Sequence, residues 1–463
     1  MIDVAERNDA YLEAFDERER RADGGPPWLA AIRRAAMLRF SEVGFPTTRQ
    51  EAWRYTNVAP IASTSFRLAG RDEALRAAAR LGPSLAERLA ELSFDDGRSM
   101  RAVFVNGHLV ESLSRLAGLP QGVEVLGLAG ALQMRPAFLE PHLAGRTDTT
   151  DHPFASLNTA FLGDGAFVLV PKGVVLEDTV HLVFVTLPDE GPAGETPARP
   201  PMAHPRVTIV AEESARASIA QSHVGWGQGA SLTNAVTDIL AGDGSVVEHC
   251  ALQREGPAAF HVSCLRATLG RSSSLRSHAV SLGGRLARSD ISIVMDGEGA
   301  DCTLNGLYVT AGSQHCDSHT VIDHARPHGT SRQLYKGVLD GRSRGIFDGT
   351  VIVRPGAQKT DSRQENRNLI LSEEALADSK PTLRIEANDV KCSHAATTGQ
   401  LDEQSLFYLR SRAIDPQAAR RIMIHAFVSD VIRRIQAPSL RAGLDALLFG
   451  LGEERTTGIG AAP

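Results

Sequence analysis

The 463-residue sequence predicts a mainly β protein, a parallel β-helix core with α-helical N- and C-terminal segments. Three observations carry that reading. Between about Gly165 and Thr397 the apolar residues come in short runs, such as Phe167-Val168-Leu169-Val170, Val207-Thr208-Ile209-Val210 and Val351-Ile352-Val353, bounded by Gly, Asp and Ser. Corner-like clusters recur at Glu212-Glu213-Ser214, Gly242-Asp243-Gly244, Gly270-Arg271-Ser272 and Asp296-Gly297-Glu298-Gly299. Their spacing of roughly 26 to 30 residues matches one coil of a stacked solenoid. Helical periodicity is confined to the two ends. The competing fold is a β-sandwich with irregular turns, whose turns fall about 8–12 residues apart.

The elements divide into an α-rich cap region (1–150), a β-helix core (151–400) and a C-terminal helical region (401–463). From Pro27 to Val43, Leu29, Ile32, Ala36 and Leu38 fit a helix with Arg33 and Arg34 on its outer side, closed by Gly44 and Pro46. Arg71 to Leu92 gives two helical stretches broken at Gly82 and Pro83. Asn106-Gly107, between Val103-Phe104-Val105 and Leu109-Val110, is a hairpin turn. Leu187 to Pro205, rich in Pro, Gly and Ala, leaves one coil as a loop or disordered excursion. After Asp402 the helical pattern returns. Asp415 N-caps a helix starting at Pro416, along which Ile424, Val428, Val431 and Ile435 recur. A second helix from Ser439 carries Leu440, Leu444, Leu447 and Leu448, and Arg420, Arg421, Arg433 and Arg434 edge the pair. Such helices either cap the end of their own solenoid or dock a partner.

Composition narrows the function classes. A hydrophobic content of 42% with 22% charged residues is ordinary for a soluble chain, and aromatics are sparse at 5%. A formal charge of −6 over this length gathers neither nucleic acid nor an anionic membrane. Met1 to Arg21 alternates acids and bases without a signal-type apolar run, and no later segment reads as a membrane span, so a cytoplasmic location is expected. The five cysteines, Cys250, Cys264, Cys302, Cys316 and Cys392, include no CxxC pair and are expected to be reduced thiols. There is no GxxxxGK[ST], HExxH or GxSxG, so no nucleotide is expected on this chain and no hydrolase signal appears.

Two stretches carry ligand chemistry. His315-Cys316-Asp317-Ser318-His319, continuing to Asp323-His324 and His328, is the densest. On a strand alternate residues face opposite ways, so His315 and His319 share a side that Cys316 does not. They are candidate metal ligands, although a polar ladder on a solenoid face explains the same density without metal. In Lys391-Cys392-Ser393-His394, Cys392 and His394 sit on one side of an extended strand, where thiolate and imidazole reach one soft metal. Two ligands are half a site, because zinc or an iron–sulfur cluster takes about four. The rest come from elsewhere in the fold or from another protein; a buried cysteine beside a solvent-facing histidine is the plainer alternative. His249-Cys250 and His261 with Cys264 read as buried core. Paired carboxylates, Asp348 or Asp361 with Glu365, are reminiscent of polysaccharide-active β-helix enzymes, but such an enzyme predicts a secretion signal and an aromatic-lined groove.

The words Tyr335-Lys336-Gly337-Val338-Leu339, Ser343-Arg344-Gly345-Ile346-Phe347-Asp348-Gly349, Ala357-Gln358-Lys359-Thr360-Asp361, Asn366-Arg367-Asn368-Leu369, Asp378-Ser379-Lys380-Pro381, Lys391-Cys392-Ser393-His394 and Leu406-Phe407-Tyr408-Leu409-Arg410-Ser411-Arg412 closely resemble the SufB/SufD family of iron–sulfur cluster assembly proteins. A weaker resemblance extends upstream to about Phe154. Within the family, Gly44-Phe45-Pro46-Thr47 with Glu51-Ala52-Trp53-Arg54-Tyr55-Thr56 resembles the SufD branch. So does Leu409, where SufB proteins tend to carry cysteine; a SufB-type subunit, the alternative, would need further cysteines able to accept sulfur. One departure is Ala395, where many relatives have glycine.

The resemblance implies a right-handed parallel β-helix that acts as a non-catalytic scaffold. It implies a heterodimer with SufB, and docking of the ATPase SufC, which hydrolyses ATP, on the C-terminal helices from about Asp415 to Leu448. A transient iron–sulfur cluster, or iron, would be shared with SufB, with His394 as this chain's ligand, Cys392 beside it and a SufB cysteine facing them. Flavin, associated with SufB in such complexes, is not expected here. In isolation two copies would pair through the same open edge.

Overall fold

The computed structural model describes residues 4–20, 25–94, 100–144, 152–187 and 199–454. The predicted excursion between Leu187 and Pro205 therefore falls largely outside the described residues, as does the boundary near residue 150.

Two sheets wind into a β-solenoid. Sheet 1 runs through strands Gly165–Val170, Arg206–Ala211, Leu232–Ala241, Phe260–Leu269, Leu286–Met295, His315–His324, Arg344–Val353 and Leu376–Ile385. Sheet 2 runs through Val180–Thr186, Arg216–Gly225, Val246–Arg254, Ser274–Ser281, Asp301–Thr310, Thr330–Leu339, Asp361–Ile370 and Lys391–Gly399. Each strand pairs in parallel with the strand one coil away, which excludes the sandwich. Because side chains alternate, every second residue enters the lumen and stacks on its counterpart. Val168, Ile209, Ile239, Ala267, Ile293, Ile322 and Val351 form one such buried column. Burial of each large aliphatic side chain contributes roughly 1.5–3 kcal/mol.

The recurring corner clusters are turns built around one left-handed residue. Ser214, Gly244, Ser272, Gly299, His328 and Lys359 all have positive φ. Each donates its backbone N–H to the next coil's turn, from Ser214 to the Asp243 carbonyl (2.8 Å) through to Lys359 and the Asp389 carbonyl (2.7 Å). That bond offsets the roughly 1–2 kcal/mol that a side chain costs in this conformation. His328, part of the ligand-dense stretch, is thus a corner residue.

The N-terminal region closes one end of both sheets. The hairpin of Met100–Val105 and His108–Leu109, turning at Asn106 and Gly107 as expected, extends sheet 2, and Glu124–Gly127 adds an antiparallel strand to sheet 1. Helix Pro27–Val43 ends at Gly44, and helix Arg71–Ser93 breaks at Gly82 before Pro83. Arg33 does not face outward as expected. It is 3% exposed, and its Nε donates to the Leu162 carbonyl at 2.7 Å, just past helix Pro153–Ala160. A guanidinium there satisfies an acceptor near the negative end of a helix, while Leu38 takes the outer position at 62% exposure.

The C-terminal helices are Glu403–Ser411, Pro416–Ile432 and Pro438–Glu454. Asp415 caps the second, accepting from the backbone N–H groups of Gln417 and Ala418. They do not cap the solenoid's end. Val428, Val431, Ile432, Ile435, Leu440 and Leu444 cover the outer face of sheet 2 at Leu252, Val280, Leu307, Val309, Leu334 and Val338. That face is apolar along successive coils and needs this cover. Lys336, buried beneath, donates to the Phe427 carbonyl (2.6 Å) and pairs with Asp430 (2.7 Å).

Candidate functional site

The solenoid's C-terminal end is open. Among the described residues, strands Leu376–Ile385 and Lys391–Gly399 are the outermost of their sheets and pair on one side only. On the second strand Cys392 is in register with Ser362 and His394 with Gln364. Ser362 and Gln364 are buried in the lumen, so Cys392 and His394 occupy the lumen side of the last rung, as alternation predicts. Cys392 is half-buried against Val351, Val353, Ala357 and Ala387, whereas His394 is exposed. Burial holds the Cys392 thiol above its usual range, partly offset by the Ser362 backbone N–H. The free thiol is therefore neutral, and a metal or a cationic neighbour is needed to make it a thiolate ligand.

Two polar columns lead to these residues from inside. His324 Nε2 lies 2.9 Å from Ser331 Oγ, which donates to Ser362 Oγ (2.8 Å), and Cys392 is next in that column. Gln333 Nε2 donates to Thr320 Oγ1 (2.6 Å), Gln364 Nε2 donates to Gln333 Oε1 (2.7 Å), and His394 is next in that one. Alongside, Tyr308 donates to Asn368 Oδ1 (2.5 Å), and Asn368 Nδ2 donates to Asn366 Oδ1 (2.8 Å). Sequence reasoning missed these amides; the usable signal was the return of Gln333, Gln364 and His394 at one-coil intervals. A Cβ on Gly337 would run into the Tyr308 ring, and one on Gly349 into the Gln364 amide. These glycines of the motif words hold the lumen network in place.

His315 and His319 lie elsewhere. They face outward from sheet 1, beneath the segment containing Trp53 and Thr56, while Cys316 points into the lumen, its thiol pushed up to about 12 by burial. Thr56 Oγ1 lies 2.8 Å from His315 Nε2 and donates to Asp317 Oδ2 (2.5 Å). Arg288 pairs with Asp317 (2.6 Å) and Asp290 (2.7 Å), with its guanidinium 3.6 Å above the Trp53 ring. His319 Nε2 is 3.0 Å from Asp317 Oδ1, and His152 is 3.0 Å from Asp290. Burial lowers His315; burial also opposes the charge on His319, but Asp317 outweighs it and raises that imidazole. Both histidines are thus engaged in a network that ties the N-terminal segment to sheet 1. Among the described residues no three His, Cys, Asp or Glu side chains form a metal-binding group, and none adds a third ligand to Cys392 and His394.

The other prominent surface is on the C-terminal helices. Phe407 (73%) and Tyr408 (57%) are exposed on helix Glu403–Ser411, with Ile422 and Phe449 exposed on the helices that follow. Among the described residues no helix is long and apolar enough to cross a membrane.

Comparison with known proteins covers nearly the whole chain. The family model described as "SUF system FeS cluster assembly, SufBD core domain" matches residues 194–427, and that of the "SufBD protein N-terminal region" matches residues 5–182. An iron–sulfur cluster assembly SufBD family protein of Synechocystis is 30% identical over 444 residues, covering 94% of each chain. The iron–sulfur cluster assembly protein SufD of Escherichia coli is 29% identical, covering 86% of this chain and 87% of its own. SufD of Bacillus subtilis is 24% identical, covering 95% and 96%. The core match spans the coils from Arg206 to the last rung with Cys392 and His394, and together with the N-terminal match it shows that the chain belongs to the SufBD family of iron–sulfur cluster assembly proteins.

Proposed function

We propose that the chain is a SufD-type scaffold subunit of a cytoplasmic SufB–SufC–SufD complex, and that nascent iron–sulfur cluster, or iron, is held between its open coil and SufB. The observation that carries this reading is the last rung itself. Two unpaired sheet edges flank Cys392 and His394, which stand on the lumen side without a third ligand among the described residues. An unpaired edge is a template for another chain's strand, so a partner seated there completes both the sheets and the ligand set. The metal is cargo. A neutral imidazole is a borderline ligand that both binds iron and releases it, which suits a cluster made for transfer. Without a partner, the same edges would pair two copies of this chain.

The chain acts without catalysing a reaction, and ATP hydrolysis belongs to SufC. Exposed Phe407 and Tyr408 give the C-terminal helices an unpaired apolar surface suited to SufC docking. Truncation at Asp415 is a poor test of docking, because it would also strip sheet 2 of its cover. Phe407→Asp with Tyr408→Ser tests it instead, and is expected to abolish SufC co-purification while the chain stays folded.

The scaffold reading is tested by co-expression with SufB and SufC and anaerobic assay of iron and sulfide. His394→Ala is expected to leave the complex assembled and to lower both contents several-fold. Wild-type iron and sulfide in that variant would discard the shared-site reading.

A further inference from the structure

Gln364 is fully buried (0% exposed), and among the described residues its Oε1 has no hydrogen-bond partner. Its Nε2 is committed to Gln333 Oε1, and Gln333 Nε2 in turn to Thr320 Oγ1. The amide chain therefore runs one way and ends, on the next-to-last strand of sheet 2, on an acceptor. Rotation of the amide would break the Gln333 bond, and the space on the Gly349 side is already filled by the Gln364 Nε2 group. The next residue in the column is His394. Its neighbours on the same face of that strand, Cys392 and Ala396, carry a weak donor and no donor.

We propose that Gln364 is the positioning residue for His394: its Oε1 accepts the N–H of one imidazole nitrogen and directs the other nitrogen to the metal. This rests on the reading of His394 as a ligand given above. Metal-bound histidines almost always donate their second ring N–H to a carbonyl or carboxylate, which fixes the tautomer and ring orientation. In the isolated chain His394 is exposed and Gln364 Oε1 remains unpartnered. A partner on the open edge excludes the water that competes for this bond, so docking and ligand orientation are coupled. Half of the site is then built into the lumen before the partner arrives.

The test uses the complex co-purified with SufB and SufC, stripped of iron and titrated anaerobically with Co²⁺, whose ligand-field absorption reports the site. Gln364→Met removes the acceptor, and Gln364→Glu keeps one. Both lose the donor to Gln333, so a purely structural role predicts equal losses of thermal midpoint and of affinity. The positioning role predicts a Co²⁺ affinity about 10–100-fold weaker in Gln364→Met, with Gln364→Glu matching or exceeding wild type. Wild-type affinity in Gln364→Met, or equal weakening in both, would overturn the proposal. His394→Ala separates the two ideas, since unchanged Co²⁺ binding there would remove the ligand reading itself. If Gln364→Met does not fold, ¹⁵N imidazole shifts of the wild-type complex with Zn²⁺ decide: one fixed His394 tautomer with a hydrogen-bonded N–H is expected, and an N–H exchanging freely with water overturns the proposal.

Discussion

Strands His315–His324 and Lys391–Gly399 carry the same side-chain chemistry and meet different fates. The first lies within sheet 1, paired on both sides and covered on its outer face by the segment around Trp53 and Thr56. Its histidines face hydroxyl and carboxylate partners. The second ends sheet 2, paired on one side, with His394 exposed next to a buried amide whose oxygen has no hydrogen-bond partner among the described residues. Histidine and cysteine on an extended strand therefore do not by themselves make a metal site. The site candidate lies where the fold leaves hydrogen-bonding capacity unused, and in a solenoid that place is an uncapped end.

The largest expected effect tests how thoroughly the fold encloses its histidines. Burial drives His204, His223 and His249 down to about 3. Their folded values lie below the unfolded value of about 6.5, so below pH 6.5 the unfolded chain binds more protons. Their stabilising contribution is complete above about pH 6.5 and is lost as pH falls toward 3. At pH 5 the loss is on the order of 2 kcal/mol for each histidine. Asp290 and Asp317 oppose burial through Arg288, which holds both carboxyls below the usual range, so they add to the loss only below about pH 4. The thermal midpoint is expected to fall steadily from pH 7 to pH 5, and a flat profile would show that these rings are not enclosed.

The covered strand is tested by Arg288→Met. The change leaves Asp290 and Asp317 without their shared cation and Trp53 without the guanidinium stacked on it. A loss of about 3–5 kcal/mol is expected from chemical denaturation, as for other buried pairs deprived of one partner. A loss below about 1 kcal/mol would mean that the network does not hold the N-terminal segment.

Much of this contrast is legible in the sequence, because it depends on local periods. Strand alternation assigns His315 and His319 to one face and Cys316 to the other, and the one-coil recurrence of corner clusters locates the turns. What covers a strand is a long-range matter. Thr56 lies 259 residues from His315, and no local pattern joins them. The same reason hides Arg33, which is buried by a carbonyl 129 residues away, and the placement of the last two helices along sheet 2. The family words mark residues without explaining them: Gly337 and Gly349 admit the Tyr308 ring and the Gln364 amide, and Lys336 secures a helix.

Lys336 extends the comparison to the outer face of sheet 2. Lys336→Met is expected to cost about 1.5 kcal/mol, the low end for a charged hydrogen bond, because Asp430 is half-exposed. Hydrogen exchange in Pro416–Ile432 should rise while the inner strands keep their protection. Unchanged exchange would mean that the apolar cover alone holds the helix.

The smallest expected effect on stability separates the two histidine strands. His394 is exposed on a strand with one neighbour, so His394→Ala should change the stability of the isolated chain by no more than about 0.5 kcal/mol. His319→Ala should cost about 1 kcal/mol, because it removes the imidazole beside a buried carboxylate and leaves Arg288 and Thr56 as its neighbours. Iron content in the proposed complex with SufB and SufC should reverse that order, falling sharply for His394→Ala and staying near wild type for His319→Ala. A residue that matters to cargo and not to folding is the signature of a ligand, and one that matters to folding and not to cargo is the signature of a structural partner. If both substitutions lower iron in proportion to their effect on stability, the two strands differ only in burial, and the open end has no special claim to the metal.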